Sequence, residues 1–244
     1  DYAGRWALTD NPEKLAGAMS KVHRQIFPSR GARLRRAEIP GFPETVVDTL
    51  LLDPEGDIAE AAKAAGGGDL AERVGGLQRL ELELAGLLED QITQAHLNNN
   101  SVVVFLNFRA SLDALSEWAK KKSLPHGVID GRQAGEGGDA ERRKVLEDYR
   151  ADKTSLLLVN NAAGGAGLSA HKQRDTTAFI APSQNGRQMK QVVGRVHRAG
   201  GGFSRQYFCG LTGTPQQDIL VANREKIRRI DILNDADLDN LKFL

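Results

Sequence analysis

Ser101–Leu106, with the sequence SVVVFL, is a short run of mostly β-branched and apolar side chains that reads as a buried strand. It opens a section in which strands and helices alternate. Ser111 is expected to cap a helix that turns Leu112, Leu115 and Trp118 inward. Gly127–Asp130 reads as a second strand, and Asp139–Arg150 as a helix with Val145, Leu146 and Tyr149 inward. Ser155–Val159 (SLLLV) reads as a third strand, followed by the Gly-rich turn Asn160–Gly167. Thr176–Ile180 is a fourth, a helix is expected over 186–198, and Phe203–Phe208 is a fifth. A last helix starts at Thr214-Pro215 and carries Leu220, Ile227 and Ile230. Strands alternating with helices of this kind predict an α/β fold, a parallel sheet covered by helices on both faces. In such sheets ligands bind beyond the C-terminal strand ends. The loops after residues 106, 131, 159 and 181 share that edge, and the candidate functional residues are expected in or just after them.

Upstream of the alternating section, residues 10–27 read as a helix with Asn11 as cap, Pro12 at its first position and Leu15, Met19, Val22 and Ile26 on one face. Residues 28–43 are Pro-, Gly- and Arg-rich and irregular, and Thr45–Leu52 reads as a buried strand. Residues 55–97 are helical in composition. Gly66-Gly67-Gly68 and Gly75-Gly76 predict breaks that divide them into two or three helices.

The 244 residues carry a formal net charge of +1, so no overall basic field advertises nucleic acid and any such site must be local. Arg30, Arg33, Arg35 and Arg36 form one cluster and Lys120, Lys121 and Lys122 another, each readable also as a solvated face. A single cysteine, Cys209, excludes a disulfide scaffold or a Cys-based metal site within the chain, and is compatible with a reducing compartment. His23, His96, His126, His171 and His197 show no metal-ligand spacing, so no metal site is assigned. The longest apolar run falls far short of a membrane span. The opening Asp1-Tyr2 reads as an excised piece or a processed product.

Three stretches could carry chemistry. Asn160-Asn-Ala-Ala-Gly-Gly-Ala-Gly-Leu-Ser-Ala-His171 follows a strand, and its glycines would let backbone N–H groups approach a phosphate closely, or simply make a tight turn. Leu106-Asn-Phe-Arg-Ala-Ser111 enters a helix, so Asn107, Arg109 and Ser111 could bond a nucleic-acid backbone at a helix N-terminus. Ile129-Asp130-Gly131, with Arg142 and Arg143 on the next helix, could make a second such contact or a plain turn. Gln191-Val-Val-Gly-Arg-Val-His-Arg198 adds a fourth feature. At about 100° per residue, Gln188, Gln191, Arg195 and Arg198 share one stripe while Met189, Val192, Val193 and Val196 share a second, roughly 130° away. One face can pack while the other presents two guanidiniums, groups that stay charged and fork onto phosphate oxygens. The same pattern suits an exposed helix with surface arginines.

Taken in order, these pieces resemble the second RecA-like lobe of a superfamily 2 helicase. More narrowly, they resemble Swi/Snf-type DNA translocases in the compact form found in bacteria and phages. The strand with Asn107-Phe108-Arg109 is similar to motif IV, and Ile129-Asp130-Gly131 to the motif after it. Asn160–His171 is similar to motif V in its AAGGxGxSxH form, and Gln191–Arg198 to motif VI, QxxGRxHR. Arg30–Pro43 is similar to the segment before the second lobe, and Lys226–Leu238 to the closing helix.

The resemblance implies a RecA-like sheet with an N-terminal helical extension. Residues 1–53 would be the end of the first motor lobe and linker, 54–100 a helical protrusion, and 101–244 the second lobe. It implies a DNA-dependent ATPase in which Arg195 and Arg198 reach the γ-phosphate of ATP and Gln191 orients them or the attacking water. Gly165, Gly167 and Gly194 would line the nucleotide. Asn107, Arg109, Ser111, Gly131, Asn161 and Gly164 would hold the phosphates of double-stranded DNA without reading sequence, on a translocase or helicase. Motors of this family mostly move along duplex DNA without unwinding it, and strand separation stays open here. The 244 residues contain no GxxxxGK[ST] segment and no Walker B pair. ATP with its Mg2+ would therefore be held mainly by an N-terminal RecA-like lobe, in the same or another chain, and this chain alone is expected to be inactive. The implied setting is cytoplasmic and nucleoid-associated, in a bacterial or phage-infected cell, away from membranes. Two other readings stay open. One is a non-catalytic RecA-like module binding nucleic acid or a partner, motivated by the missing Walker lysine. The other is a Rossmann-like enzyme using the Gly-rich turn for another nucleotide, although GxGxxG spacing is lacking.

Overall fold

β1 (Thr45–Leu52) is followed by α1 (Ala59–Gly66) and α2 (Leu70–Leu97), and then by β2 (Ser101–Leu106) and α3 (Arg109–Lys121). β3 (His126–Ile129) leads through a 3-10 turn at Gly131–Gln133 into α4 (Gly138–Arg150), β4 (Leu156–Asn160) and the one-turn α5 (Asn161–Gly164). β5 (Thr176–Ile180), α6 (Gly186–Val196), β6 (Ser204–Leu211) and α7 (Pro215–Leu233) complete the order. This computed structural model describes residues 39–133, 137–164 and 168–233, with Ala18, Lys21 and Gln25 as isolated positions. The arginine cluster from Arg30 to Arg36, Gly165, Gly167, all but those three positions of the helix expected at 10–27, and the end of the closing helix lie outside the described residues.

The six strands form one sheet in the order β1-β6-β5-β2-β4-β3, and every neighbouring pair is parallel. Strand periodicity divides the core in two. Val102, Val104 and Leu106 point to one side, where they meet Leu80, Leu84, Leu88 and Ile92 of α2 and Leu112 and Leu115 of α3. Val103 and Phe105 point to the other, where they meet Tyr149 of α4, Met189, Val192, Val193 and Val196 of α6, and Leu220 and Ile227 of α7. Every residue of β2 is buried, as expected of a central strand covered on both faces. Each such leucine or valine contributes about 1.5–3 kcal/mol of burial.

Two expectations are corrected upstream of β2. Thr45–Leu52 is not a buried strand: among its residues only Val47 is buried, because among the described residues β1 is the sheet edge and pairs with β6 alone. Gly75-Gly76 does not break a helix, since α2 runs unbroken through both. A Cβ at Gly76 would stand 2.3 Å from the Ala65 backbone nitrogen and 2.7 Å from the Ala61 carbonyl oxygen, so the glycine lets α1 cross α2 at close range. Gly66-Gly67-Gly68 does separate α1 from α2, with Gly68 at φ +72 and Asp69 capping the Glu72 N–H. β1 is hydrogen-bonded to β6, and α2 is a covering layer of the sheet.

Candidate functional site

At the C-terminal edge of the sheet a buried carboxylate organises the turn from β2 into α3. Glu81, on α2 and 1% exposed, accepts from the backbone N–H of Asn107 (3.0 Å) and of Phe108 (2.8 Å) and from Asn107 Nδ2 (2.7 Å). It thereby satisfies donors that the start of α3 leaves open, a task done here by a neighbouring helix rather than by a capping side chain of the turn itself. Burial pushes the Glu81 carboxyl above its ordinary value, against the hydrogen bonds from Phe108 and Asn107 that pull it down. Asn107 passes the connection on. Its Nδ2 also donates to the Pro182 carbonyl, its Oδ1 accepts from Asn161 Nδ2, and its carbonyl accepts from Asn160 Nδ2. Asn160 Oδ1 in turn accepts from the N–H of Ala162 and Ala163, at the start of the Gly-rich segment. The ends of β2, β4 and β5 are thus tied together by side-chain amides.

This geometry corrects the reading of Ser111. It lies inside α3 rather than at its cap and is 0% exposed, behind the Glu81 carboxylate, where no external phosphate reaches it. Asn161, 2% exposed, is likewise committed to Asn107. Arg109 and Gly131 are exposed at the same edge, and a Cβ at Gly131 would meet nothing within 4 Å. Beside Gly131, Asp130 Oδ1 accepts from the Arg132 N–H at 2.8 Å and Oδ2 from Arg132 Nε at 2.7 Å, and Arg132 also bridges to Asp113.

The arginines of the 191–198 stretch are elsewhere. α6 begins at the C-terminal strand edge, but a helix joining two parallel strands must run back, and its 11 residues cover about 16 Å at ~1.5 Å each. Arg195 and Arg198 therefore lie toward the opposite edge, on the face that carries α4 and α6, and the expectation that every candidate residue shares one edge is corrected. The packed stripe is as read: Met189, Val192, Val193 and Val196 are buried and Gln191 is exposed. The helix ends at Val196 rather than 198, because His197 turns extended, donates from Nε2 to the Pro43 carbonyl at 2.8 Å and packs edge-on against Phe42.

The Gly-rich segment joins the two places. It leaves β4 at the strand edge as α5, and beyond Gly167 it descends between α4 and α6. Arg198 Nη1 donates to Ser169 Oγ at 2.8 Å and its Nε to the Gly194 carbonyl, while Arg195 Nη1 reaches the Leu168 carbonyl at 3.5 Å. The Ala170 N–H donates to the Arg195 carbonyl. From α4, Arg142 holds the Ala163 carbonyl and Arg150 the Ser169 carbonyl, each at 2.8 Å. Burial and the neighbouring Arg198 charge hold the Arg195 guanidinium below its ordinary pKa. Burial, Arg150 and Arg198 also lower His171. A Cβ at Gly194 would meet nothing within 4 Å, so the helix face beside these arginines has open approach. Two guanidiniums beside a glycine-lined opening suit the terminal oxygens of a polyphosphate.

Sequence reasoning missed Glu81, Asn160, Ser169 and Arg150. A lone acid on the inner face of an apolar helix, in LQRLELELAGLL at 77–88, was the available signal for Glu81. Among the described residues no group of three or more His, Cys, Asp or Glu could hold a metal ion, and no helix is long and apolar enough to cross a membrane.

Residues 84–200 match the helicase conserved C-terminal domain. The chain is 26% identical over 155 residues to the chromatin remodeling factor mit1 of Schizosaccharomyces pombe, covering 63% of this chain and 10% of that protein. It is 26% identical over 144 residues to the human chromodomain-helicase-DNA-binding protein 1, covering 58% and 8%. It is 28% identical over 116 residues to the ATP-dependent DNA helicase DDM1 of Arabidopsis thaliana, covering 47% and 14%. The chain therefore spans a small fraction of the length of these curated relatives. A solved structure of the C-terminal part of the Fun30 ATPase domain superposes with a TM-score of 0.46 at 13% identity, covering 91% of this chain and 94% of that one.

Proposed function

We propose that the chain belongs to the Swi/Snf-type branch of the superfamily 2 helicases, as their C-terminal RecA-like lobe, and that it is the arginine-supplying, DNA-gripping half of an ATP-driven DNA translocase. The helicase C-terminal domain match over 84–200 and the likeness to mit1 and DDM1 support this reading. The observation that carries this reading is the convergence of Arg195 and Arg198 on Leu168 and Ser169 of the Gly-rich segment. Arg198 Nε also donates to the carbonyl of Gly194, where a Cβ would meet nothing within 4 Å. ATP, held with its Mg2+ by an N-terminal lobe in the same or another chain, supplies the phosphoryl group whose transfer drives the motor. In this lobe Arg195 and Arg198 stabilise charge on the γ-phosphoryl oxygens, and exposed Gln191, one turn ahead of Arg195, orients the attacking water. At the sheet edge, Arg109, the open backbone at Gly131 and the start of the Gly-rich segment at Gly164 hold duplex phosphates without reading bases. Asn107 and Asn161 shape that edge rather than touch DNA.

The test is the ATPase rate of this chain joined to a nucleotide-binding lobe of the same family, with and without duplex DNA. Arg198→Ala should lower the DNA-stimulated rate by about 10³-fold or more, ~4 kcal/mol of barrier. An unchanged rate in that variant would remove the arginine-finger role.

A further inference from the structure

From the buried hydrogen-bond network at the C-terminal strand edge, we infer that Glu81 is a positioning residue for the proposed DNA-gripping edge. It acts through Asn107 on the start of the Gly-rich segment; this inference rests on the translocase reading above. The carboxylate is 1% exposed, sits on a helix outside the resembling motifs, and takes its donors from two consecutive backbone N–H groups and one side-chain amide of the turn that follows β2. Each donor it satisfies fixes Asn107. With Nδ2 divided between Glu81 and the Pro182 carbonyl, the Asn107 amide has one orientation open to it, the one that turns Oδ1 toward Asn161 Nδ2. The Asn107 carbonyl holds Asn160 Nδ2, which turns Asn160 Oδ1 toward the N–H groups of Ala162 and Ala163. The relay runs from α2, across the end of β2, to the first turn of the Gly-rich segment. Every link is a hydrogen bond of 2.7–3.0 Å except the last, at 3.4 Å.

An amide cannot substitute at the head of this relay. Both Glu81 oxygens face N–H donors, so Glu81→Gln must turn its own NH2 toward one of them and lose that bond. The same change removes a buried charge, which spares the fold the desolvation that a carboxylate bears. Position and stability are therefore separable here. In the chain joined to a nucleotide-binding lobe, Glu81→Gln should raise the DNA concentration for half-maximal ATPase stimulation about tenfold, the equivalent of one lost charge-assisted hydrogen bond. The ATP concentration for half-maximal rate should stay within about twofold, since the arginine site lies on the other face. Amide hydrogen exchange at Ala162 and Ala163 should quicken in the same variant, whereas Ile92→Val, a core change on the same helix, should leave both DNA dependence and those two amides as in the parent.

A DNA half-saturation within about twofold of the parent, in a folded Glu81→Gln protein of a DNA-responsive parent, overturns the inference. So does unchanged exchange at Ala162 and Ala163. Should Glu81→Gln fail to fold, Asn160→Ala cuts the relay at its far end while leaving Glu81 with its donors, and normal DNA dependence there would equally overturn it. A parent protein with no DNA response at all would instead remove the translocase reading, and the exchange measurement would still decide the relay.

Discussion

Two buried carboxylates at the same sheet edge respond to pH with opposite sign. Burial pushes Asp130 up, but the Arg132 guanidinium and N–H together outweigh it and hold its carboxyl below the ordinary range. Its stabilising contribution is complete above the unfolded carboxyl value, about pH 4, and is lost as pH falls through the lower native value. For Glu81 burial wins and the carboxyl is raised, so its contribution is complete below about pH 4 and is lost as pH rises through the native value. Asp130→Asn should cost about 1–3 kcal/mol at pH 7 and flatten the acid limb of stability between about pH 4 and 2; urea unfolding across that range checks it, and an unaltered acid limb would refute the assignment. Neither behaviour was legible in the sequence. Asp130-Gly131 looks like any strand-ending turn, and Glu81 is marked only by falling on the apolar face of its helix, which does not say what it bonds. What decides both cases is a partner that spacing alone does not assign: for Asp130 the guanidinium of Arg132, two residues on and held also by Asp113, and for Glu81 the Asn107 turn across the fold.

At the scale of elements, the apolar stripe of α6 was readable because helical spacing alone places Met189, Val192, Val193 and Val196 together, and burial followed that spacing. The end of α6 was not, because it depends on His197 reaching the Pro43 carbonyl, 154 residues away in sequence. The same limit explains α2. Glycine weakens an isolated helix, so Gly75-Gly76 reads as a break. Its consequence changes once α1 is packed against the second glycine and not the first. The two neighbours should thus respond oppositely to one methyl group. Gly76→Ala should destabilise by about 1–3 kcal/mol through overpacking against Ala61 and Ala65. Gly75→Ala, whose Cβ meets nothing within 4 Å, should stabilise by about 0.5–1 kcal/mol. Chemical denaturation of the pair measures this directly, and equal shifts in both would show that α1 does not cross at Gly76.

For the whole molecule, the alternation of strands and helices was sufficient to foresee a parallel sheet covered on both faces, since each buried strand is a short apolar run and each helix a striped one. It was not sufficient to foresee that the candidate residues divide between a strand edge and a helix face, joined by one glycine-rich segment. Chain direction along α6 makes that division, and topology rather than composition sets it. A grip made of Arg109 and backbone groups is electrostatic and unselective, so duplex affinity of the joined protein should fall steeply and linearly on a log–log plot against salt, by about tenfold or more between 50 and 200 mM. A flat dependence would mean that the edge does not hold phosphate. The pairing of β1 with β6 reaches furthest of all. Thr45 meets Ser204 across 159 residues, and a strand made before β2 to β5 can be seated only against one made after them. On the ribosome, β1 must wait, its N–H and C=O groups and Val47 uncovered, until β6 has emerged. By that stage β2, β4 and β5 can already have met. Closing so long a loop is slow. The final act of folding is therefore to lay down the strand whose preceding residues, Phe42 and Pro43, lock the end of the arginine helix, so a nascent lobe acquires its arginine geometry only when it is complete.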